Sequence, residues 1–259
     1  MVGNKVVALD IGGTNTRVAL VQGSKVLKYL KNPTPKTKEA FLKNIKDMVS
    51  KVIDKDVKGI GVGCPGPLAE GVIKNPPNLP LKNFNLKKFL EDEFRKRVVV
   101  ENDAKCVALA ELKLGCRKKN FIILTLGTGI GGGIIINNSL YLGSHGYAGE
   151  ISGLVLDKGK HFETLWKEKH GQIHELLEKE NKKELDRISN YLGQGIASLI
   201  NVFDPEVVIV MGGVRESGVV FLNMIREHAK KYVVLPSFPD ILWSKIKHPG
   251  ILGASLLLK

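Results

Sequence analysis

Cysteine is scarce in this chain of 259 residues: Cys64, Cys106 and Cys116 make an odd set with no C-x-x-C pair. That composition excludes a disulfide framework and a cysteine zinc knuckle, and the three read as buried thiols in a reducing compartment. Long apolar runs are missing too; no stretch approaches the roughly 18 to 20 residues that span a bilayer. Residues 1–10 run into an apolar strand without a cleavage site, so a cytoplasmic protein with no membrane partner is expected. The net charge of +13 comes without any aromatic-interleaved basic block, and lysines such as Lys43, Lys46 and Lys51 are spread along an amphipathic stretch. No nucleic-acid partner is expected from that pattern; a solvated lysine surface, favourable to anionic substrates, is.

What is present is an alternation of short apolar runs and glycine turns. Residues 6–9, 17–21 and 26–29 read as three antiparallel strands separated by Gly12-Gly13 and Gln22-Gly23-Ser24. Phe41, Leu42, Ile45, Met48, Val49, Val52 and Ile53 recur at helical spacing before a strand at 59–62. A Pro- and Asn-rich loop over 64–81 precedes a helix near 86–95, a strand at 98–100 and a helix at 104–114 that Gly115 can stop. From Phe121 the opening pattern returns: a strand at 122–126, a glycine turn over 127–133 and a strand at 134–136. A helix over 182–203, a strand at 207–210, the turn Gly212-Gly213 and a helix over 219–231 follow. The repetition suggests two halves built alike, with the apolar tail from Gly250 as a helix packed back on the first half.

Two segments carry chemistry. In Asp10-Ile11-Gly12-Gly13-Thr14-Asn15-Thr16-Arg17 the glycines allow a tight turn whose N–H groups can approach phosphate, and Thr14 and Asn15 add side-chain donors. A P-loop or a dinucleotide fingerprint opens a helix after its glycines, whereas a strand follows here, so both are excluded. One such turn is ordinary hairpin chemistry, but Gly127-Thr128-Gly129-Ile130-Gly131-Gly132-Gly133 repeats it at a second strand junction. Two phosphate-gripping hairpins imply a nucleotide held between two domains. Asp10, at the end of a buried strand, needs a cation or donors, and Mg2+ beside the phosphates is the natural one.

With these stand Gly63-Cys64-Pro65-Gly66-Pro67, Pro77-Asn78-Leu79-Pro80, Glu101-Asn102-Asp103, Gly146-Tyr147-Ala148-Gly149-Glu150 and the Gly212-Gly213 turn. In this order the motifs resemble the ROK family (repressors, open reading frames and kinases) along nearly the whole chain. The resemblance implies an α/β protein of the actin-like ATPase (ribonuclease H-like) fold with an interdomain cleft, one domain of 1–102 plus a terminal helix at about 248–259 and another of 103–247. It implies an ATP-dependent sugar kinase, with hexose or N-acetylhexosamine phosphorylated at the 6-hydroxyl and Mg2+ accompanying ATP. Asp103 would be the catalytic base; Asn78, Asn102, Asp103, Glu150 and Glu163 would bind sugar. Gly12, Gly13, Thr14, Asn15, Arg17, Gly127, Thr128 and Gly129 would hold phosphates, Gly212 and Gly213 the nucleotide, and Asp10 the metal. The resemblance also allows a homodimer, for which no residue names an interface. Asp103 before an apolar helix also reads as a helix N-cap, and both roles are compatible.

The sequence departs from the family where a histidine and three cysteines hold zinc. Gly153 stands at the histidine position, and Lys158-Gly159-Lys160-His161-Phe162-Glu163 contains no cysteine. His161 occupies the last cysteine position, while Glu163 keeps that of the sugar-binding glutamate. One imidazole cannot complete a tetrahedral nitrogen and sulfur set, so no structural zinc is expected. Nine residues before Asp10 leave no room for a repressor's helix-turn-helix module. The degraded motif keeps open a catalytically silent sugar or nucleotide sensor; a kinase of another acceptor and a filament-forming relative are weaker readings.

Overall fold

The computed structural model describes residues 3–66, 68–69, 71–74, 76, 78–156 and 159–258. Pro67, Pro77 and Lys158 of the motifs above lie outside the described residues. The chain divides into two compact units: Met1–Cys116 with Leu142–Tyr147 and Ile246–Lys259, and Arg117–Tyr141 with Ala148–Lys245.

In the first unit, β1 (Lys5–Ile11), β2 (Asn15–Gln22) and β3 (Lys25–Pro33) form an antiparallel meander, followed by α1 (Lys38–Val52) and β4 (Gly59–Cys64). The Pro- and Asn-rich loop contains a small sheet of β5 (Leu68–Ala69), β6 (Val72–Ile73) and β7 (Phe84–Asn85), two-residue strands too short to show a period in the sequence. Then come α2 (Leu86–Phe94), β8 (Arg97–Asn102) and α3 (Asp103–Ala110), which continues as one π-helical turn, Glu111–Gly115. The strand order is β3-β2-β1-β4-β8, with β4 and β8 parallel to β1.

The two faces of this sheet differ because strand side chains alternate. Val7, Leu9 and Ile11 point into a core of large side chains with Phe41, Ile45 and Met48 of α1. Ala8 and Ala19 face the other way, against Cys106 and Ala110 of α3 and against Ile251 and Ala254 of the last helix, α8 (Pro249–Leu256). Small residues on this face let α8 lie close: a Cβ at Gly61 would stand 1.9 Å from the Ala254 carbonyl oxygen. The tail therefore packs on the first unit.

The second unit repeats the plan. β9 (Phe121–Leu126), β10 (Ile130–Ile136) and β11 (Ser139–Leu140) form the meander; α4 (Glu163–Lys169), α5 (Ile173–Glu178) and α6 (Lys182–Phe203) precede β12 (Val207–Met211), α7 (Gly218–Tyr232) and β13 (Asp240–Trp243). The order β11-β10-β9-β12-β13 matches that of the first sheet, with β12 and β13 parallel to β9. Two such units, each with a three-stranded meander extended by two parallel strands, make the actin-like ATPase fold.

Three expectations change. The turn expected over 127–133 closes within 127–129, and Gly131 to Gly133 belong to β10, where a Cβ at Gly132 would stand 2.6 Å from the Ile151 side chain. The helix expected at 104–114 gives way to the π turn after Ala110. Helix α3 lies in the first unit, so the division falls after Cys116, because α3 packs its small face on α8.

Candidate active site

At the sheet edge of the first unit, Asp10 of β1 is in register with Gly63 of β4, and Gly63 with Glu101 of β8. One step further Cys64 pairs with Asn102, and Asp103 follows as the first residue of α3. Motifs separated by up to 93 residues therefore meet at the carboxyl ends of three parallel strands, the end of an open α/β sheet at which ligands bind.

The Asp10 side chain is about one-fifth exposed and accepts from Arg17 Nη1 at 3.1 Å. Burial pushes its carboxyl above the usual range, opposed by the Arg17 guanidinium. The first turn of α8 touches it as well: a Cβ at Gly250 would lie 2.8 Å from Asp10 Cγ. A partly buried carboxylate beside a single guanidinium is a suitable Mg2+ ligand, since that ion takes one or two carboxylates and completes its shell with water and substrate phosphates.

Between β1 and β2 the turn is closed by Gly12 N donating to Asn15 O at 2.9 Å, which leaves Thr14 exposed. It is braced from outside. Thr34 Oγ1 donates to Gly12 O at 2.6 Å, Thr34 N to Thr14 O at 2.9 Å, and Lys36 Nζ to Gly13 O at 2.9 Å. Asn78, held at φ 64°, lies against Gly13, where a Cβ would come within 2.7 Å of Asn78 Cβ. A predicted phosphate residue and a predicted sugar residue are thus adjacent within one unit.

The capping role at α3 belongs to Asn102 rather than Asp103. Asn102 Oδ1 accepts from the N–H groups of Ala104 (3.0 Å) and Lys105 (3.2 Å), while Asp103 Oδ1 accepts from Ala104 at 2.9 Å. The Asn102 oxygen is thereby occupied, and its amide NH2 is the part available to a ligand oxygen. Asn102→Ala removes the cap and is expected to lower stability by about 1 kcal/mol, read from denaturant unfolding, with Asn102→Asp restoring most of it. Beneath these residues lie the Cys64 and Cys106 thiols. Burial pushes both well up, and the charges of Asp103 and Asp10 add to the effect on each. They are neutral packing groups.

In the second unit the β9–β10 hairpin closes by Gly127 N donating to Gly129 O at 3.0 Å, leaving Gly127 and Thr128 exposed. Trp166 Nε1 donates to Gly127 O at 2.8 Å. Glu163, at the start of α4, lies over Gly129 and accepts from Lys167 Nζ at 2.6 Å; a Cβ at Gly129 would stand 2.9 Å from Glu163 Oε2. Gly212, at φ 141°, abuts Leu126, whose carbonyl oxygen would be 2.0 Å from a Cβ there. That contact places the Gly212-Gly213 turn at the base of the same hairpin.

Glu150 is exposed just before the short turn Ile151–Gly153. His161 Nδ1 lies 3.2 Å from the carbonyl oxygen of Gly153, so two positions of the family's zinc motif do come together, without its ligands. Among the described residues no three His, Cys, Asp or Glu side chains gather as a metal set.

Asn78, Asn102 and Asp103 thus sit on the first unit, Glu150 and Glu163 on the second. Sequence reading missed Lys36, Lys105 and Trp166. Only Lys105 left a signal, as a lone cation within the apolar run Ala104 to Ala110.

Comparison with known proteins identifies the family. The ROK family model matches residues 6–165 and 162–259. The chain is 30% identical to a glucokinase of Halalkalibacterium halodurans, over 98% of this chain and 94% of that one. Among solved structures, the ROK hexokinase of Thermus thermophilus has 28% identity and a TM-score of 0.82, over 98% of this chain and 97% of its own. A ROK glucokinase of Streptomyces griseus, in complex with glucose and AMPPNP, has 26% identity and a TM-score of 0.81, over 98% and 99% of the two chains.

Proposed function

The chain belongs to the ROK family, and on that premise we propose that it transfers the γ-phosphoryl group of ATP to the 6-hydroxyl of a hexose or N-acetylhexosamine. It is a sugar kinase; the acceptor and the residue roles are the proposal. The observation that carries it is the strand-end register that joins Asp10 to the Asn102-Asp103 pair in one unit.

Phosphoryl transfer demands positioning and charge stabilisation more than covalent help from protein. The braced turn of Gly12, Gly13, Thr14 and Asn15, with Arg17, would present N–H groups and donors to phosphate oxygens, and Gly127, Thr128 and Gly129 would do the same from the second hairpin. Gly212 and Gly213 would receive the nucleoside portion, where no side chain obstructs. Asp10 would hold Mg2+, which when bound neutralises phosphate charge and orients the phosphates. Asp103 would accept the proton of the attacking hydroxyl, with Asn102 Nδ2 and Asn78 fixing neighbouring hydroxyls and Glu150 and Glu163 accepting from others. The residues around His161 do not fit a zinc ion, and no step here depends on one.

The test is ADP release from ATP and magnesium with glucose, mannose, fructose, N-acetylglucosamine and N-acetylmannosamine in turn. Turnover that depends on one or more of these sugars is expected, and it identifies the acceptor. Binding of sugar and nucleotide without turnover would replace the kinase with the silent sensor that the degraded zinc motif suggests.

A further inference from the structure

Lys105 is 3% exposed, although it carries a full charge and lies within a helix whose Ala104, Cys106, Val107 and Ala108 are also buried. Its place is doubly unfavourable. A buried ammonium loses hydration, and position three of a helix has the positive end of the helix dipole beside it. Local propensity therefore does not explain a lysine here; its partners must.

Two are present. Lys105 Nζ donates to the carbonyl oxygen of Gly146, 41 residues away in the chain, and stands 3.9 Å from Glu101 Oε1. That Glu101 oxygen is already engaged, accepting from Asn102 N at 2.7 Å. Gly146 belongs to Leu142–Tyr147, the six-residue excursion by which the chain returns to the first unit before Glu150. Gly146 sits at φ 80°, in the left-handed region that favours glycine. The tether starts two residues after Asp103 and ends four residues before Glu150 in the chain, with both of its ends inside the first unit.

We propose that Lys105 is a positioning residue for the acceptor: its ammonium pins the Gly146 turn to the start of α3 and so fixes the sugar-binding end of the site. The proposal rests on the kinase reading above. The phosphate turn between β1 and β2 has its own braces in Thr34 and Lys36 and does not depend on this tether. Loss of Lys105 should therefore be felt by sugar and not by ATP.

The experiment compares Lys105→Met, which keeps length without charge, and Lys105→Gln, which keeps a donor, with the parent. Expected is a rise of about tenfold in sugar KM for Lys105→Met, a smaller rise for Lys105→Gln, and little change in ATP KM. Amide hydrogen exchange over residues 142–147 should quicken in both variants, a readout that does not need activity. An unchanged sugar KM, or sugar and ATP constants that worsen together with a general loss of exchange protection, would overturn the proposal. If Lys105→Met does not fold, Lys105→Gln with unaltered exchange over 142–147 would overturn it equally. A parent protein without sugar-dependent turnover removes the kinase reading instead, and the exchange experiment still decides the tether.

Discussion

Asp103→Asn is expected to lower kcat for sugar phosphorylation by about 10³-fold, inside the roughly 10²- to 10⁴-fold range of general base catalysis. The substitution is nearly isosteric, and an asparagine oxygen can still accept from Ala104 N, as Asp103 Oδ1 does at 2.9 Å. The Asn102 cap is untouched. What disappears is the acceptor proposed for the hydroxyl proton, together with a negative charge at a helix start that contributes about 0.3 to 1 kcal/mol. Sugar KM should change by no more than about threefold, since the lost interaction belongs to the transition state. ADP release at saturating sugar, with unfolding followed in parallel, checks this. A variant retaining a tenth or more of the parent kcat would remove Asp103 from the role of base.

The largest structural effect is expected at Gly253. Helix α8 crosses α3 so closely there that a Cβ would lie 1.6 Å from the Cys106 carbonyl oxygen and 2.3 Å from its carbon. Neither contact partner is the flexible end of a side chain, so the two helices must separate. Gly253→Ala is expected to cost about 3 kcal/mol, the upper end of ordinary overpacking, and to lower the melting midpoint by about 6 to 12 °C. Function should follow stability, because α3 begins at Asp103 and α8 brings Gly250 against Asp10. The ATP KM should therefore rise in whatever fraction remains folded. Gly153→Ala is the control, since nothing beyond its own turn and chain neighbours lies within 4 Å of its added Cβ, and a change within about 0.5 kcal/mol is expected. Equal midpoints for the two variants would show that the α3–α8 crossing gives way at little cost.

The elements that were legible in advance share a physical character. Helix α6 was expected over 182–203 and runs Lys182–Phe203, because its apolar side chains repeat with the helical period over six turns and Asn181 caps it. The opening meander was legible as well, since short apolar runs at 6–9, 17–21 and 26–29 stand between glycine turns, although the strands extend further, to seven to nine residues each. Strand β13 was not. Asp240 to Trp243 is four residues long with only Ile241 fully buried, and it exists as a strand because β12 offers it a parallel edge. Helices α4 and α5 escaped for a related reason: each is short, and their burial comes from packing Trp166 and Ile173 into the second core rather than from a long amphipathic stripe.

The same division runs through the site. Local chain chemistry determined the two glycine hairpins and the family, because a glycine turn between strands and an Asn-Asp pair before a helix are short-range patterns. Tertiary structure decided which residues meet. It set Asp10, Gly63 and Glu101 in one register, laid Asn78 on Gly13 and carried Gly146 to a buried lysine. Those contacts join positions tens of residues apart, and their geometry depends on how sheet, helix and tail pack, which no local window of sequence contains.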